Sequence, residues 1–207
     1  MGTIRTFDLN ELINRNNASV FIETGTLHGD GVRYALNYPF KRIISIEIIP
    51  ELAEKAREQF KNYSNVEIIT GNSADVLKEI LPTINENIIF WLDAHFPGCD
   101  AGVKTYDEIK QLAYDVNMPL EKEIEHISKR TETNKDILVC DDLWCYEDVT
   151  QNNLNDFDTH CRNHGHNIQL KDINDGKDLK FLYNAFNATH EFKKVYQHQG
   201  YIIIYPG

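Results

Sequence analysis

The chain has 207 residues, of which 42% are hydrophobic and 26% charged, and its formal net charge is -11. A chain of this length buries roughly 70% of its unfolded surface, which is enough for one core without metal or disulfide staples. The four cysteines form no C-x-x-C pair, which favours free thiols. An acidic chain with no basic stripe argues against a nucleic-acid partner. The absence of a long apolar run argues against a membrane span or signal peptide, so a cytoplasmic protein is expected.

Apolar runs of strand length alternate with helical patterns along the chain. Strand-like runs cover residues 19–22, 42–47, 66–70, 88–92, 137–140, about 167–170, and 201–205. Helical periodicity falls between them at 29–37, 50–63 and 73–81. Strands that alternate with helices predict a mainly parallel sheet covered on both faces.

Two segments depart from this alternation. Residues 190–197 and 201–205 are strand-like runs joined by a short turn, which predicts a C-terminal antiparallel hairpin. Residues 96–134 are a long insertion with helices predicted near 106–116 and 120–129. Long connections of this kind often serve as lids or substrate loops.

A glycine-spaced turn follows the first strand-like run. It reads Glu23-Thr-Gly25-Thr-Leu-His-Gly29-Asp-Gly31, and Glu47 ends the next strand-like run. In nucleotide-binding α/β folds, such glycines permit a tight turn and close backbone approach, and the acid at the end of the next strand binds ribose hydroxyls. This pairing predicts a ligand that contains adenosine.

The glycine spacing narrows the choice of ligand. A dinucleotide site would show G-x-G-x-x-G directly after the strand, whereas here the order is E-x-G-x-x-x-G-x-G, opened by Glu23. A carboxylate there would repel a pyrophosphate and attract an ammonium group, which S-adenosylmethionine carries. The segment resembles the first motif of the class I S-adenosylmethionine-dependent methyltransferases, and with the hairpin the resemblance covers nearly the whole chain. It implies one Rossmann-like α/β domain over residues 1–207, with a doubly wound, seven-stranded, mainly parallel sheet and a C-terminal antiparallel hairpin.

The same resemblance implies which residues bind the cofactor. Ligands of doubly wound sheets bind beyond the carboxyl ends of the strands. The residues expected to bind S-adenosylmethionine are Glu23, Gly25, Thr26, Gly29, Glu47, Asn72, Ser73 and Asp93. Asn72 and Ser73 would contact the adenine edge, although a serine before a helix is also a routine N-cap and that alternative stays open.

Acidic residues also follow the fourth and fifth strand-like runs, at Asp93-Ala-His95 and Asp141-Asp142. Three neighbouring carboxylates repel one another unless a cation that prefers oxygen ligands binds between them. The pattern looks like that of the metal-dependent O-methyltransferases that act on catechols and sugars. This resemblance implies that Asp93, Asp141 and Asp142 bind Mg²⁺ or Mn²⁺, and that Asp93 and His95 are catalytic, with His95 as the general base. An orienting role for His95 and a capping role for Asp142 stay open.

The sequence thus predicts an S-adenosylmethionine-dependent enzyme that methylates a hydroxyl of a small molecule or sugar with the help of a divalent metal. The alternative is an inactive binding or regulatory module with the same fold. A dehydrogenase is disfavoured by the glycine spacing, and an Asn/Asp-Pro-Pro-aromatic motif for base methylation is missing after the fourth strand. The acceptor, the metal and a homo-oligomeric state are left open.

Overall fold

The computed structural model describes residues 3–109, 111–130, 135–146, 178–186 and 188–207. Its centre is a seven-stranded sheet in the order β3-β2-β1-β4-β5-β7-β6. The strands are β1 (Val20–Thr24), β2 (Arg42–Glu47), β3 (Val66–Thr70), β4 (Ile88–Leu92), β5 (Ile137–Cys140), β6 (His190–Val195) and β7 (Tyr201–Pro206). Strands β1 to β5 pair in parallel, and β7 pairs antiparallel with both β5 and β6. The predicted doubly wound sheet with a terminal antiparallel hairpin is confirmed.

The order of the strands sets where a ligand can bind. The chain runs outward from β1 through β2 to β3 and then returns to β4, which lies on the other side of β1. Loops from the two halves of the sheet therefore diverge at the carboxyl ends of β1 and β4. This divergence opens a crevice at the switch point.

Helices cover both faces of the sheet. They are α1 (Leu9–Asn16), α2 (Asp30–Ala35), α3 (Pro50–Phe60), α4 (Ser73–Ile80), α5 (Tyr106–Ile109), α6 (Tyr114–Asn117), α7 (Leu120–Ile127) and α8 (Lys180–Phe186). Short 3₁₀ turns lie at Ile4–Thr6, Leu81–Thr83, Ser128–Arg130 and Leu143–Cys145. The apolar faces of α1, α2 and α3 pack with Phe21 on one face of β1, and those of α4, α7 and α8 pack with Ile22 on the other. Because β4 and β5 are buried on both faces, their sequences are continuous apolar runs, whereas β1 is equally buried but ends in Glu23 and Thr24.

Several predicted boundaries need correction. Strand β1 ends at Thr24 rather than at residue 22, so Glu23 lies inside the strand, where Ser45 and Trp91 pair with it. Two short helices, α5 and α6, lie where one helix at 106–116 was predicted. The strand predicted at about 167–170 lies outside the described residues.

Two helices had no counterpart in the sequence prediction. Helix α1 begins after Asp8, whose side chain accepts a hydrogen bond from the Asn10 N–H at 2.9 Å, and it ends at Asn17 in the left-handed conformation. These are ordinary start and stop signals. Helix α8 is short and packs on α7.

In the described part of the chain, no helix has the length and apolar character needed to cross a membrane. Cys99, Cys140 and Cys145 are free thiols, as expected, and Cys161 lies outside the described residues.

Candidate functional site

The backbone ladders of the sheet extend one residue past the strand ends and fix the acidic residues there. The N–H of Asp93 donates to the carbonyl of Thr24 at 3.2 Å, and the N–H of Asp141 donates to the carbonyl of Leu92 at 3.0 Å. Both aspartates are therefore held at the carboxyl edge of the sheet, Asp93 next to the end of β1 and Asp141 next to the end of β4.

A cleft opens at this edge. Its empty volume is about 820 Å³, including space open to solvent. The predicted site residues that line it are Gly25, Glu47, Asn72, Ser73, Asp93 and His95. The others lie behind its walls, and these are Glu23, Thr26, Gly29, Asp141 and Asp142. The structure thus brings residues from the ends of β1, β2, β3 and β4 to one cavity.

Gly25 makes the turn at the floor of the cleft. Its φ of +85° lies in the left-handed region, and a Cβ atom there would lie 2.9 Å from the carbonyl oxygen of Asp93. Both the conformation and the close approach of the two backbones require glycine. The strand β1 and the loop after β4 can meet only because this residue has no side chain.

We expect Gly25→Ala to destabilise the protein more than Gly102→Ala does. Both glycines have positive φ, but a Cβ at Gly102 would meet nothing within 4 Å. The control therefore bears only the conformational cost of about 1–2 kcal/mol, and Gly25→Ala adds a backbone clash. Urea unfolding of both variants measures the difference. Equal midpoints would show that the contact with the loop after β4 is not tight.

Glu23 lies beneath the turn and is only 2% exposed. It accepts a hydrogen bond from the Ser45 hydroxyl at 2.6 Å, and that hydroxyl lies 2.6 Å from the hydroxyl of Thr26. Burial raises the pKa of Glu23 to about 8, against the lowering effect of Ser45, so its carboxyl group is mostly protonated at neutral pH. In this arrangement Glu23 and Thr26 support the turn from below, and direct contact of either with a ligand stays a prediction.

Two further glycines allow α2 to pack close to its neighbours. Gly29 precedes α2 with φ +75°, and a Cβ on it would lie 2.6 Å from the ring of Phe60 in α3. A Cβ on Gly31 would lie 1.7 Å from the Glu23 carboxylate. Gly29 therefore positions the helix that follows the turn.

Glu47 holds the rim of the cleft through both carboxylate oxygens. One oxygen accepts the N–H of Leu27 and the other the N–H of Ile49, each at 2.9 Å. Each oxygen retains a further lone pair that can accept another hydrogen bond. Glu47 thus ties the turn after β1 to the turn after β2 and presents an anionic acceptor to the cleft.

Asn72, rather than Ser73, is the N-cap of α4. Its side-chain oxygen accepts the N–H of Ala74 at 3.0 Å and of Asp75 at 3.4 Å. Ser73 is buried at the cleft wall and lowers the pKa of Glu123 in α7, although burial still raises that pKa to about 7. Both residues line the cleft, but their side chains also have these structural roles.

Asp93, His95 and Asp142 form a compact group of potential metal ligands at the site. One side-chain ligand atom from each lies within 4.8 Å of those of the other two. His95 Nε2 is 2.6 Å from an oxygen of Asp142, and His95 Nδ1 is 3.0 Å from the backbone oxygen of Asp93. Both nitrogens of the ring are thus engaged within the group.

Burial sets the protonation of this group. Burial and the neighbouring carboxylate of Asp141 raise the pKa of Asp93 well above its ordinary value, and burial and Asp142 do the same for Asp141. Burial alone would favour the neutral ring of His95, but the carboxylates of Asp142 and Asp93 raise its pKa to about 10. These carboxylates resist ionising together, so a bound cation would be stabilised here.

Asp141 was predicted as a ligand, but its oxygens are not part of this compact group. One of them accepts the backbone N–H of Asp142 at 2.7 Å. Asp142 has φ +55°, a left-handed conformation that Asp and Asn adopt more readily than most residues. Asp141 therefore helps to hold the turn that presents Asp142, and its role as a ligand stays a prediction.

Sequence reasoning missed three polar residues of the described site. Asp100 and Gln199 line the cleft from the insertion and from the hairpin turn. Ser45 links Glu23 to Thr26 from the middle of β2. Only Ser45 gave a signal, because it is a polar residue within an apolar strand.

The cleft has an acidic lining. Glu47, Asp93 and Asp100 line it, and none of the described residues around it is a lysine or arginine. Among these described lining residues, only His95 carries a basic group. Such a lining favours a cationic ligand over an anionic one.

No protein-family model and no curated protein matches the sequence. Solved structures do match. A proposed caffeoyl-CoA O-methyltransferase from Staphylococcus aureus aligns over 100% of this chain and 85% of its own, with a TM-score of 0.58 and 16% identity. A proposed rRNA methylase from Clostridium thermocellum aligns over 96% and 95%, with a TM-score of 0.56 and 10% identity.

A proposed O-methyltransferase from Klebsiella pneumoniae aligns over 96% of this chain and 78% of its own, with a TM-score of 0.54 and 12% identity. At such identities the likeness concerns the fold alone. The fold is that of the class I S-adenosylmethionine-dependent methyltransferases, as the glycine turn and the hairpin predicted.

Proposed function

We propose that the chain is a single-domain S-adenosylmethionine-dependent methyltransferase that acts on a hydroxyl of a small molecule or sugar with the help of a divalent cation. One observation carries the proposal. The Gly25 turn, the Glu47 carboxylate and the group at Asp93 and His95 meet in one cleft at the switch point of a methyltransferase fold.

The residues that line this cleft would make the contacts with the cofactor. Gly25 leaves room for a ligand along the turn, and Glu47 offers carboxylate oxygens to ribose hydroxyls. Asn72 and Ser73 lie at the end of β3, where they would hydrogen-bond to the edge of an adenine ring. The acidic lining suits a cofactor that carries an ammonium group and a sulfonium. Glu23, Thr26 and Gly29 lie behind the wall of the cleft and hold the turn in place.

The acidic group after β4 and β5 fits a divalent cation. Asp93 and Asp142 supply carboxylate oxygens, His95 supplies a ring nitrogen, and burial disfavours the ionised form of Asp93 unless a cation lies beside it. When bound there, a divalent cation would act as a Lewis acid toward an oxygen of the acceptor. Asp141 would hold the turn of Asp142 in place.

Transfer to a hydroxyl requires that an O–C bond forms as an S–C bond breaks, with its electron pair going to sulfur, and that the hydroxyl proton leaves. His95 is at the cleft wall, where the sequence assigned it as the base. In the arrangement described, its two nitrogens face Asp142 and the backbone of Asp93. If His95 binds the cation, it is not free to accept the hydroxyl proton as a base.

The charge of the chain supports a small acceptor. A net charge of -11 and an acidic cleft disfavour a polyanion such as RNA. The proposed caffeoyl-CoA O-methyltransferase among the similar structures is consistent with a small hydroxyl acceptor, although one similar structure is a proposed rRNA methylase.

We expect Glu47→Gln to weaken S-adenosylmethionine binding by about 10- to 100-fold. Hydrogen bonds to a charged group contribute about 1.5–3 kcal/mol, and the amide can accept from only one of the two N–H groups that Glu47 now satisfies. Isothermal titration calorimetry measures the change. Glu51→Gln, at an exposed position in the first turn of α3, is the matched control. Equal affinities in both variants would place the cofactor elsewhere.

A further inference from the structure

The imidazole at the end of β4 changes the chemistry expected of the cation site. A site built from Asp93, Asp141 and Asp142 alone would offer only oxygen ligands, which suit Mg²⁺. The compact group observed is instead two carboxylates and one ring nitrogen, from Asp93, Asp142 and His95. Imidazole suits first-row transition metals, whereas Mg²⁺ is bound mainly by carboxylates and waters.

The orientation of the His95 ring is that of a metal ligand. Its Nδ1 lies 3.0 Å from the backbone oxygen of Asp93, so a proton on Nδ1 can be donated to that carbonyl. Nε2 lies 2.6 Å from the carboxylate of Asp142, so in the metal-free protein a proton lies between these two atoms, and a cation that binds there would take the place of that proton. Histidines that bind metals almost always donate their other N–H in this way to a backbone carbonyl or a carboxylate.

Access and burial agree with this arrangement. The side chains of Asp93 and His95 are 24% and 17% exposed and line the cleft, whereas that of Asp142 is 5% exposed. An ion could therefore enter from the cleft past Asp93 and His95 and reach Asp142 at the back. The ring edge of His95 also packs against Phe96, with ring centroids 5.1 Å apart, which restricts its rotation.

We infer that Asp93, His95 and Asp142 bind a first-row transition-metal ion such as Mn²⁺ in preference to Mg²⁺, with His95 as a ligand through Nε2. The inference rests on the proposed function for the presence of a cation in the cleft. It replaces the general-base role of His95 by a ligand role and leaves Asp141 outside the ligand set.

The test is binding of Mn²⁺ to the metal-free protein in the absence of cofactor and acceptor. Loss of the electron paramagnetic resonance signal of free Mn²⁺ measures the binding, and added Mg²⁺ tests the competition. We expect one Mn²⁺ per chain, which equimolar Mg²⁺ does not displace. His95→Asn should weaken Mn²⁺ binding by at least about 10-fold, and His95→Asp should shift the preference toward Mg²⁺. His126→Asn, on α7, is the matched control and should bind Mn²⁺ like the unchanged protein.

Two results would overturn the inference. One is displacement of Mn²⁺ by an equal concentration of Mg²⁺, which needs no variant. The other is unchanged Mn²⁺ affinity in folded His95→Asn, with folding checked by circular dichroism. Neither Mn²⁺ measurement uses S-adenosylmethionine. A wrong proposed function would therefore show separately, as a protein that binds Mn²⁺ but not the cofactor.

Discussion

Asp142→Asn is expected to lower the rate of methyl transfer by about 10²- to 10⁴-fold, because a Lewis-acid cation contributes several kcal/mol to the transition state and the variant loses one of its proposed ligands. The carboxylate of Asp142 lies 2.6 Å from His95 Nε2 and is buried at the back of the proposed cation site. Asparagine tolerates the left-handed backbone at this position, so the fold should persist while the charge is lost. Transfer of a labelled methyl group, with saturating cofactor and Mn²⁺, measures the effect.

Asp141→Asn is the matched control, since it removes the same charge one residue earlier. An asparagine oxygen can still accept the backbone N–H of residue 142, so the turn should be kept. We expect less than about a 10-fold loss, because a hydrogen bond to a neutral group is only modestly weaker than one to a charged group. If the two variants lost activity equally, Asp141 would be a ligand after all, as the sequence predicted.

Arg130→Met is expected to lower the free energy of unfolding by about 3–5 kcal/mol, the usual cost of removing one partner of a buried ion pair. Arg130 Nε lies 3.0 Å from Asp136, which is fully buried and also accepts the N–H of Ile88. The guanidinium further donates to the carbonyls of Leu81 and Glu86. Without it, these acceptors and a buried carboxylate would lack their partner.

Lys129→Met is the control for Arg130→Met, because the neighbouring lysine is exposed and its ion pair with Glu125 lies at the surface. Surface pairs of this kind contribute little. Urea unfolding should therefore separate the two variants clearly. Since Arg130 contacts the opposite edge of the sheet from the cleft, folded Arg130→Met should bind cofactor with unchanged affinity. Equal unfolding midpoints for the two variants would show that the buried pair contributes no more than a surface one.

The architecture was predictable because its signals are local and periodic. The apolar runs that became β2, β3, β4 and β5 have the predicted bounds, and β4 and β5 gave the clearest signal because a parallel strand buried on both faces leaves a continuous apolar segment. The glycine turn was recognisable for a related reason. Positive φ and close backbone contact at Gly25 leave no alternative to glycine.

The details of the site were less predictable because they depend on contacts between distant segments. The sequence shows adjacent Asp141 and Asp142, but only the left-handed turn sends one toward His95 and the other toward a backbone N–H. Likewise, nothing local reveals that Glu23 faces Ser45 beneath the turn. Asp100 reaches the cleft only through the path of the insertion.

The most direct test of the proposed function is thermal unfolding of the purified protein with S-adenosylmethionine, with its demethylated product and with NAD⁺. A ligand at ~100 times its dissociation constant adds about 2.7 kcal/mol to the stability of the native state, which corresponds to about 5–10 °C for a domain of this size. We expect a rise of that order with S-adenosylmethionine and no rise with NAD⁺. A rise with NAD⁺ alone, or with neither compound, would contradict the assignment of this cleft to S-adenosylmethionine.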